Sequence, residues 1–192
     1  MEYKKVVTYL GAKISDSGIM LSDVNLYVKE KRRYVTVKFT NFCRKNFLAP
    51  FNIKIHILNT CISSTLLYGC ETWGQSKFQS IETLYRQGLK TALSVRPSWN
   101  NDIVYIESGE LPLQIKIEKQ QLKFWISLQD ILNNRVHYIT KLIRKAEQLD
   151  LKYIAYYKNL RREYVTPEIC ESTLKNSHKA EIDQKIREKK CQ

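Results

Sequence analysis

Leu66-Leu67-Tyr68-Gly69-Cys70-Glu71-Thr72-Trp73 closes a run in which apolar residues return at helical intervals. Ile55, Leu58, Ile62, Leu66 and Gly69 share one face of a helix predicted from near Asn52 through Trp73, which sets the fold class as mainly α. Gly69 costs such a helix about 1 kcal/mol against alanine, so either close packing or a helix end is expected there. Glu71 is the one acidic residue between Glu30 and Glu82, set between Tyr68 and Trp73. It reads as a buried structural acid paired with a base, because one carboxylate cannot assemble a two-metal site.

The same periodicity extends in both directions. Upstream, Ser22 or Asp23 caps a helix expected to reach Leu48, ahead of Pro50. Leu21, Val24, Val28, Val35, Phe39 and Phe42 form its apolar stripe, with Lys29, Arg33 and Arg44 on the far side. Before it, Val6 to Leu10 and Gly11 favour a strand, and Ser15-Asp16-Ser17-Gly18 a turn, together a short N-terminal β-hairpin. Downstream, Ile81, Leu84, Gly88, Leu89 and Ala92 mark a helix ending before Arg96-Pro97. Asn100 or Asn101 caps a short helix to Ser108 that Gly109 stops. After Pro112, a stripe of Leu113, Ile117, Gln120, Phe124, Leu128, Ile131 and Leu132 predicts another helix, with Trp125 packing on its flank. Val136–Leu149, Leu151–Tyr164 and a polar Pro167–Lys190 complete the series. The expected divisions are a hairpin over 1–20, a helical region over 21–74, a second helical region over 75–165, and a polar helix or tail over 166–192.

The chain of 192 residues is 43% hydrophobic and 27% charged, the balance of a soluble globular protein and not of a disordered one. No apolar run suits a membrane and no secretion signal is evident, so a cytoplasmic or nuclear protein is expected, with Cys43, Cys61, Cys70, Cys170 and Cys191 as reduced thiols. Zinc knuckles need closely paired ligands, which the spacing of Cys61 and Cys70, or of Cys170, His178 and Cys191, does not supply; no metal site is expected. His56, His137 and His178 are far apart, no glycine-rich phosphate loop occurs, and no G-x-S-x-G anchors a serine nucleophile. Formal net charge is +13 and unevenly spread. Residues 28–54 carry eight basic groups against Glu30 alone, and residues 119–192 carry sixteen against nine. Two basic blocks around a near-neutral centre point to a polyanion surface.

Four motifs in order carry a family resemblance. Leu66 to Trp73 resembles the LLYGxExW signature that follows the reverse transcriptase domain of LINE-type (non-LTR) retrotransposons. Tyr9-Leu10-Gly11 with Ile14-Ser15 resembles the YLGxxIS that closes the palm. Ile81-Glu82 with Leu89 to Val95 resembles the IExxQxxxLRxILxV helix, and Glu107 to Leu113 the ExGxLPL turn. In these motifs Tyr9, Leu10, Gly11, Leu67, Tyr68, Gly69, Glu71, Trp73, Glu107, Gly109 and Pro112 are structural positions. The resemblance implies the end of a palm, a thumb and a downstream helical region. That family's polymerase chemistry uses Tyr-x-Asp-Asp and a third Asp to hold magnesium, upstream of the YLG strand. This chain has no Asp-Asp, so no catalytic residue and no cofactor are expected, and any magnesium would belong to the missing core.

The expected role is to hold nucleic acid without polymerising it. Lys29, Arg33, Lys38, Arg44 and Lys45 would meet the phosphates of RNA or an RNA–DNA duplex, weakly and with little sequence preference. A second expected partner is the upstream polymerase portion of the same element. The alternatives are a structural retrotransposon remnant, a helical protein-interaction module, or a subunit made active by a palm supplied separately.

Overall fold

The computed structural model describes residues 6–9, 12–15, 36–73, 79–132, 138–148 and 152–190, and these are mainly helical. Strands β1 (Val6–Tyr9) and β2 (Ala12–Ser15) pair antiparallel, Val6 opposite Ser15 and Tyr9 opposite Ala12. The chain divides into two compact units, Met1–Leu113 and Gln114–Gln192.

In the first unit, helix α1 spans 36–45. The earlier part of the expected Ser22–Leu48 helix, with Leu21, Val24, Val28 and Val35, lies outside the described residues. Phe39 and Cys43, four apart and so on one face, are buried. Asn46 ends the helix by donating to the Phe42 carbonyl from both its backbone N–H (2.9 Å) and its side-chain amide (3.0 Å). Pro50, which has no N–H to leave unsatisfied, then precedes α2 (Phe51–Ile57).

From Leu58 to Ser63 the helix widens into a π-helical segment before resuming as α3 (Ser64–Leu67). Its looser i→i+5 turn places Ser63 beside Leu58 and Ile62 on the buried side. The helix predicted through Trp73 is interrupted. Gly69 takes φ 68°, a left-handed conformation that glycine adopts without a Cβ clash, and α4 (Cys70–Trp73) starts anew. A helix end therefore accounts for Gly69.

Close packing is seen at Gly88. Helix α5 (Gln79–Ala92) packs on α2, on the π-helical segment and on α6 (Asn101–Ser108). A Cβ at Gly88 would lie 2.5 Å from Leu58 Cδ1, and Leu58 is fully buried. α5 ends in a Schellman arrangement: Val95 N–H reaches the Lys90 carbonyl and Ser94 N–H the Thr91 carbonyl. Ser94, at φ 57°, occupies the left-handed position usually held by glycine. Helix α6 begins as expected, the Asn100 side chain accepting from Asp102 N–H at 2.8 Å, and stops at left-handed Gly109.

The second unit contains α7 (Leu113–Leu132, from its second residue), α8 (Tyr138–Gln148), α9 (Lys152–Glu163) and α10 (Pro167–Lys190). Thr166 Oγ1 accepts from Ile169 N–H at 3.2 Å, and Pro167 takes the first helical position, where no N–H is needed. The stripe expected on α7 holds at Leu113 and Ile117, which are buried, and Trp125 packs as expected; it is corrected at Phe124, which is exposed while Gln121 and Leu122 are buried. Trp125, Ile143, Ile154 and Tyr157 form one apolar cluster; Leu122, Leu160, Tyr164 and Cys170 form another. Trp125 and Tyr157 stack with ring centroids 5.1 Å apart. Among the described residues, no helix is long and apolar enough to cross a membrane.

Candidate nucleic-acid interface

Helix α1 separates its apolar and basic residues. With Phe39 and Cys43 turned inward, Lys38, Arg44 and Lys45 are exposed. At 100° per residue, Lys38 and Lys45 fall within about 20° of each other, and Arg44 stands about 100° away. Along the axis Lys38 and Lys45 are roughly 10 Å apart. No carboxylate occurs in the sequence between Glu30 and Glu71. Lys29 and Arg33, expected on the same surface, lie outside the described residues.

One cation of the basic block is diverted inward. Lys54 is only 5% exposed, and its Nζ donates to the Phe47 carbonyl at 2.9 Å. A buried ammonium needs an oxygen partner, and the turn after α1 provides it. The block's net charge thus overstates what it can present. A lysine flanked by Ile53 and Ile55 was the available signal. In the second unit three lysines pair with carboxylates: Lys119 with Glu171, Lys158 with Glu147 at 3.0 Å, and Lys185 with Glu181 at 2.9 Å.

The motif positions are spread through the first unit. Tyr9 pairs with Ala12, while Leu10 and Gly11 lie outside the described residues. Leu67 is buried, Tyr68 exposed, and Gly69 terminates the helix. Glu71 is half-buried, not buried as expected, and its charge adds to the burial that pushes the Cys70 thiol up. Trp73 ends α4, and its side chain lies outside the described residues. Glu107 is exposed, Gly109 left-handed and Pro112 half-buried.

Near the last of these motifs, polar groups converge that the sequence reading missed. The buried Tyr85 hydroxyl has Glu110 Oε2 at 2.7 Å and Asn59 Oδ1 at 2.9 Å as acceptors. Asn59 Nδ2 donates to Glu110 Oε1 at 2.8 Å. The Tyr105 hydroxyl donates to Glu82. Burial first, then Glu110, raises the Tyr85 hydroxyl above the usual phenol range; burial and Glu82 do the same for Tyr105. Both phenols therefore stay protonated and serve as donors. This chemistry braces the Gly109 turn; it offers no nucleophile. A signal existed, since Tyr85 sits four residues from both Ile81 and Leu89, on the apolar face.

Four of the five cysteines lie among the described residues. Cys61 is exposed, while Cys43, Cys70 and Cys170 are buried. Burial, with Glu118, Glu163 and Glu171, pushes the Cys170 thiol up to about 11. Among the described residues, no three His, Cys, Asp or Glu side chains lie together in a way that could hold a metal. Comparison with family models, curated proteins and solved structures gives no match.

Proposed function

We propose that this chain is a nucleic-acid-binding fragment resembling the thumb and downstream helical region of a LINE-type reverse transcriptase. Its hairpin would be the end of a palm, and it holds RNA or an RNA–DNA duplex without extending it. The observation that supports this reading most is the segregation on α1, with Phe39 and Cys43 inside and Lys38, Arg44 and Lys45 outside, in a segment without carboxylates. Backbone contacts of this kind position a duplex but carry no sequence information. Catalysis would require clustered carboxylates to hold two metals, and the sequence contains no Asp-Asp.

The test is binding of a fluorescent RNA–DNA hybrid as a function of salt. If each of the three cations neutralises one phosphate, log affinity should fall against log salt with a slope of about −2 to −3. Replacing Lys38, Arg44 and Lys45 together by Gln spares Phe39 and Cys43, so the helix should persist while the slope moves towards zero. A triple variant that binds like the parent at low salt would reduce the surface to solvation and leave a structural remnant as the better reading.

A further inference from the structure

At the end of the same basic helix, Phe47 is 70% exposed and Leu48 82% exposed. Single apolar residues on a surface are ordinary. Here two consecutive ones project from a turn whose backbone is braced at several points. Lys54 holds the Phe47 carbonyl, Asn46 holds the Phe42 carbonyl twice, and Ala49 N–H donates to the Asn46 carbonyl at 3.0 Å. Arg44 and Lys45 immediately precede the pair and are exposed. The turn thus joins a flat aromatic ring and an aliphatic wedge to two cations, with no carboxylate in the segment.

We propose that Phe47 and Leu48 form a stacking tip for the first unpaired base beside a duplex, with Arg44 and Lys45 on the adjoining phosphates. The proposal rests on the duplex-holding reading and deepens it: the preferred partner is a hybrid carrying a single-stranded extension. Every base offers a π face, so an aromatic platform beside cations binds single strands without reading sequence. Aliphatic side chains serve as wedges against the terminal pair of a stack. Charge favours this occupant over an uncharged apolar partner. A membrane surface is less suited, because interfacial anchoring draws on a long amphipathic helix and this turn presents two adjacent side chains. The braced backbone fits the role, since little conformational freedom is lost when a base lands on a fixed platform.

The experiment compares the full chain on two RNA–DNA hybrids, one blunt and one with an unpaired extension of roughly six nucleotides. The parent should bind the extended hybrid about tenfold more tightly. Phe47→Ala should abolish that preference while binding the blunt hybrid, and responding to salt, as the parent does. Phe47→Trp should restore it. 2-Aminopurine at the first unpaired position should change emission with parent and Phe47→Trp, but not with Phe47→Ala. Equal binding of both hybrids by the parent overturns the tip and leaves the duplex reading standing. Binding of single strands alone, lost in Phe47→Ala, overturns the duplex reading and leaves the tip. Retained preference in Phe47→Ala overturns the tip. So does a Phe47-dependent attachment to anionic vesicles or Phe47-dependent self-association, where neither hybrid is distinguished.

Discussion

The two units solve the same packing problem with different materials. In the first, α5 reaches 14 residues but its neighbours are short: α2 has 7 residues, α3 and α4 have 4 each, and α6 has 8. A helix of that length buries only a few apolar side chains, and directional bonds tie the pieces together. Asn59, Tyr85 and Glu110 link the π-helical segment, α5 and the turn after α6; Tyr105 and Glu82 link α6 to α5. In the second unit α7 has 20 residues and α10 has 24; α7 buries Ile115, Ile117, Leu122 and Trp125, and α10 adds Cys170 and Ile182. There the interior is dominated by Trp125, Tyr157 and aliphatic neighbours, with one buried amide, Gln121, accepting from the Tyr156 hydroxyl at 2.8 Å. Short elements need bonds with direction to set their register, whereas long ones set it by area.

The largest test of that contrast is Trp125→Ala. Removing a fully packed indole should cost about 3–5 kcal/mol in denaturant unfolding, with amide exchange accelerated in α7 to α10. A cost below 1 kcal/mol would mean the second unit does not depend on its aromatic cluster. In the first unit, Glu110→Ala should cost about 2–4 kcal/mol, because it strips an acceptor from Tyr85 and Asn59 together. Exchange should then quicken in α5 and α6, and a silent substitution would demote the polar network to decoration.

Alkaline pH gives a smaller effect with a definite sign. The phenols of Tyr85 and Tyr105 are raised in the folded chain, so they keep their protons where an unfolded chain loses them. Their contribution is complete below about pH 10 and declines above it, by about 1.4 kcal/mol per pH unit for each. Tyr85→Phe should remove roughly half of that slope in unfolding measurements between pH 9 and 11. Tyr164 in the second unit is raised too, by burial and then Glu163, so the contrast is two phenols against one. Smallest of all, Ser94→Gly should stabilise the first unit by about 0.5–1 kcal/mol, because glycine adopts φ 57° without the steric cost serine bears. A lowered melting temperature would show that the Ser94 side chain has a role beyond its backbone.

What was legible in the sequence followed from local chemistry. The Asn100 cap, the Gly109 stop and the Pro167 start depend on neighbouring residues alone, and all three stand where expected. What escaped depends on three-dimensional neighbours. A fixed period of 100° per residue cannot register the π-helical segment, so Ser63 was not placed inward. The face of α7 was assigned around Phe124 because hydrophobicity ranks residues, not the sides on which a helix finds partners. Leu113 and Ile117 of that face are buried and Trp125 packs as expected, but Gln121 and Leu122, not Phe124, complete the covered side. Lys54 was counted as surface charge because its chain partner, the Phe47 carbonyl, becomes a neighbour only once the turn has formed. On the candidate surface, Arg44 was placed on the outer side of its helix, and it is exposed; Lys29 and Arg33 lie outside the described residues.

The sequestered amine of Lys54 has a chemical consequence. An acylating reagent at low dose should label the exposed Lys38 and Lys45 early and leave Lys54 untouched while its turn is closed. Labelling at Lys54 then counts the molecules whose turn has opened, residue by residue in a peptide digest. The lysine becomes a clock for local opening at the point where α1 gives way to α2, without any substitution in the chain.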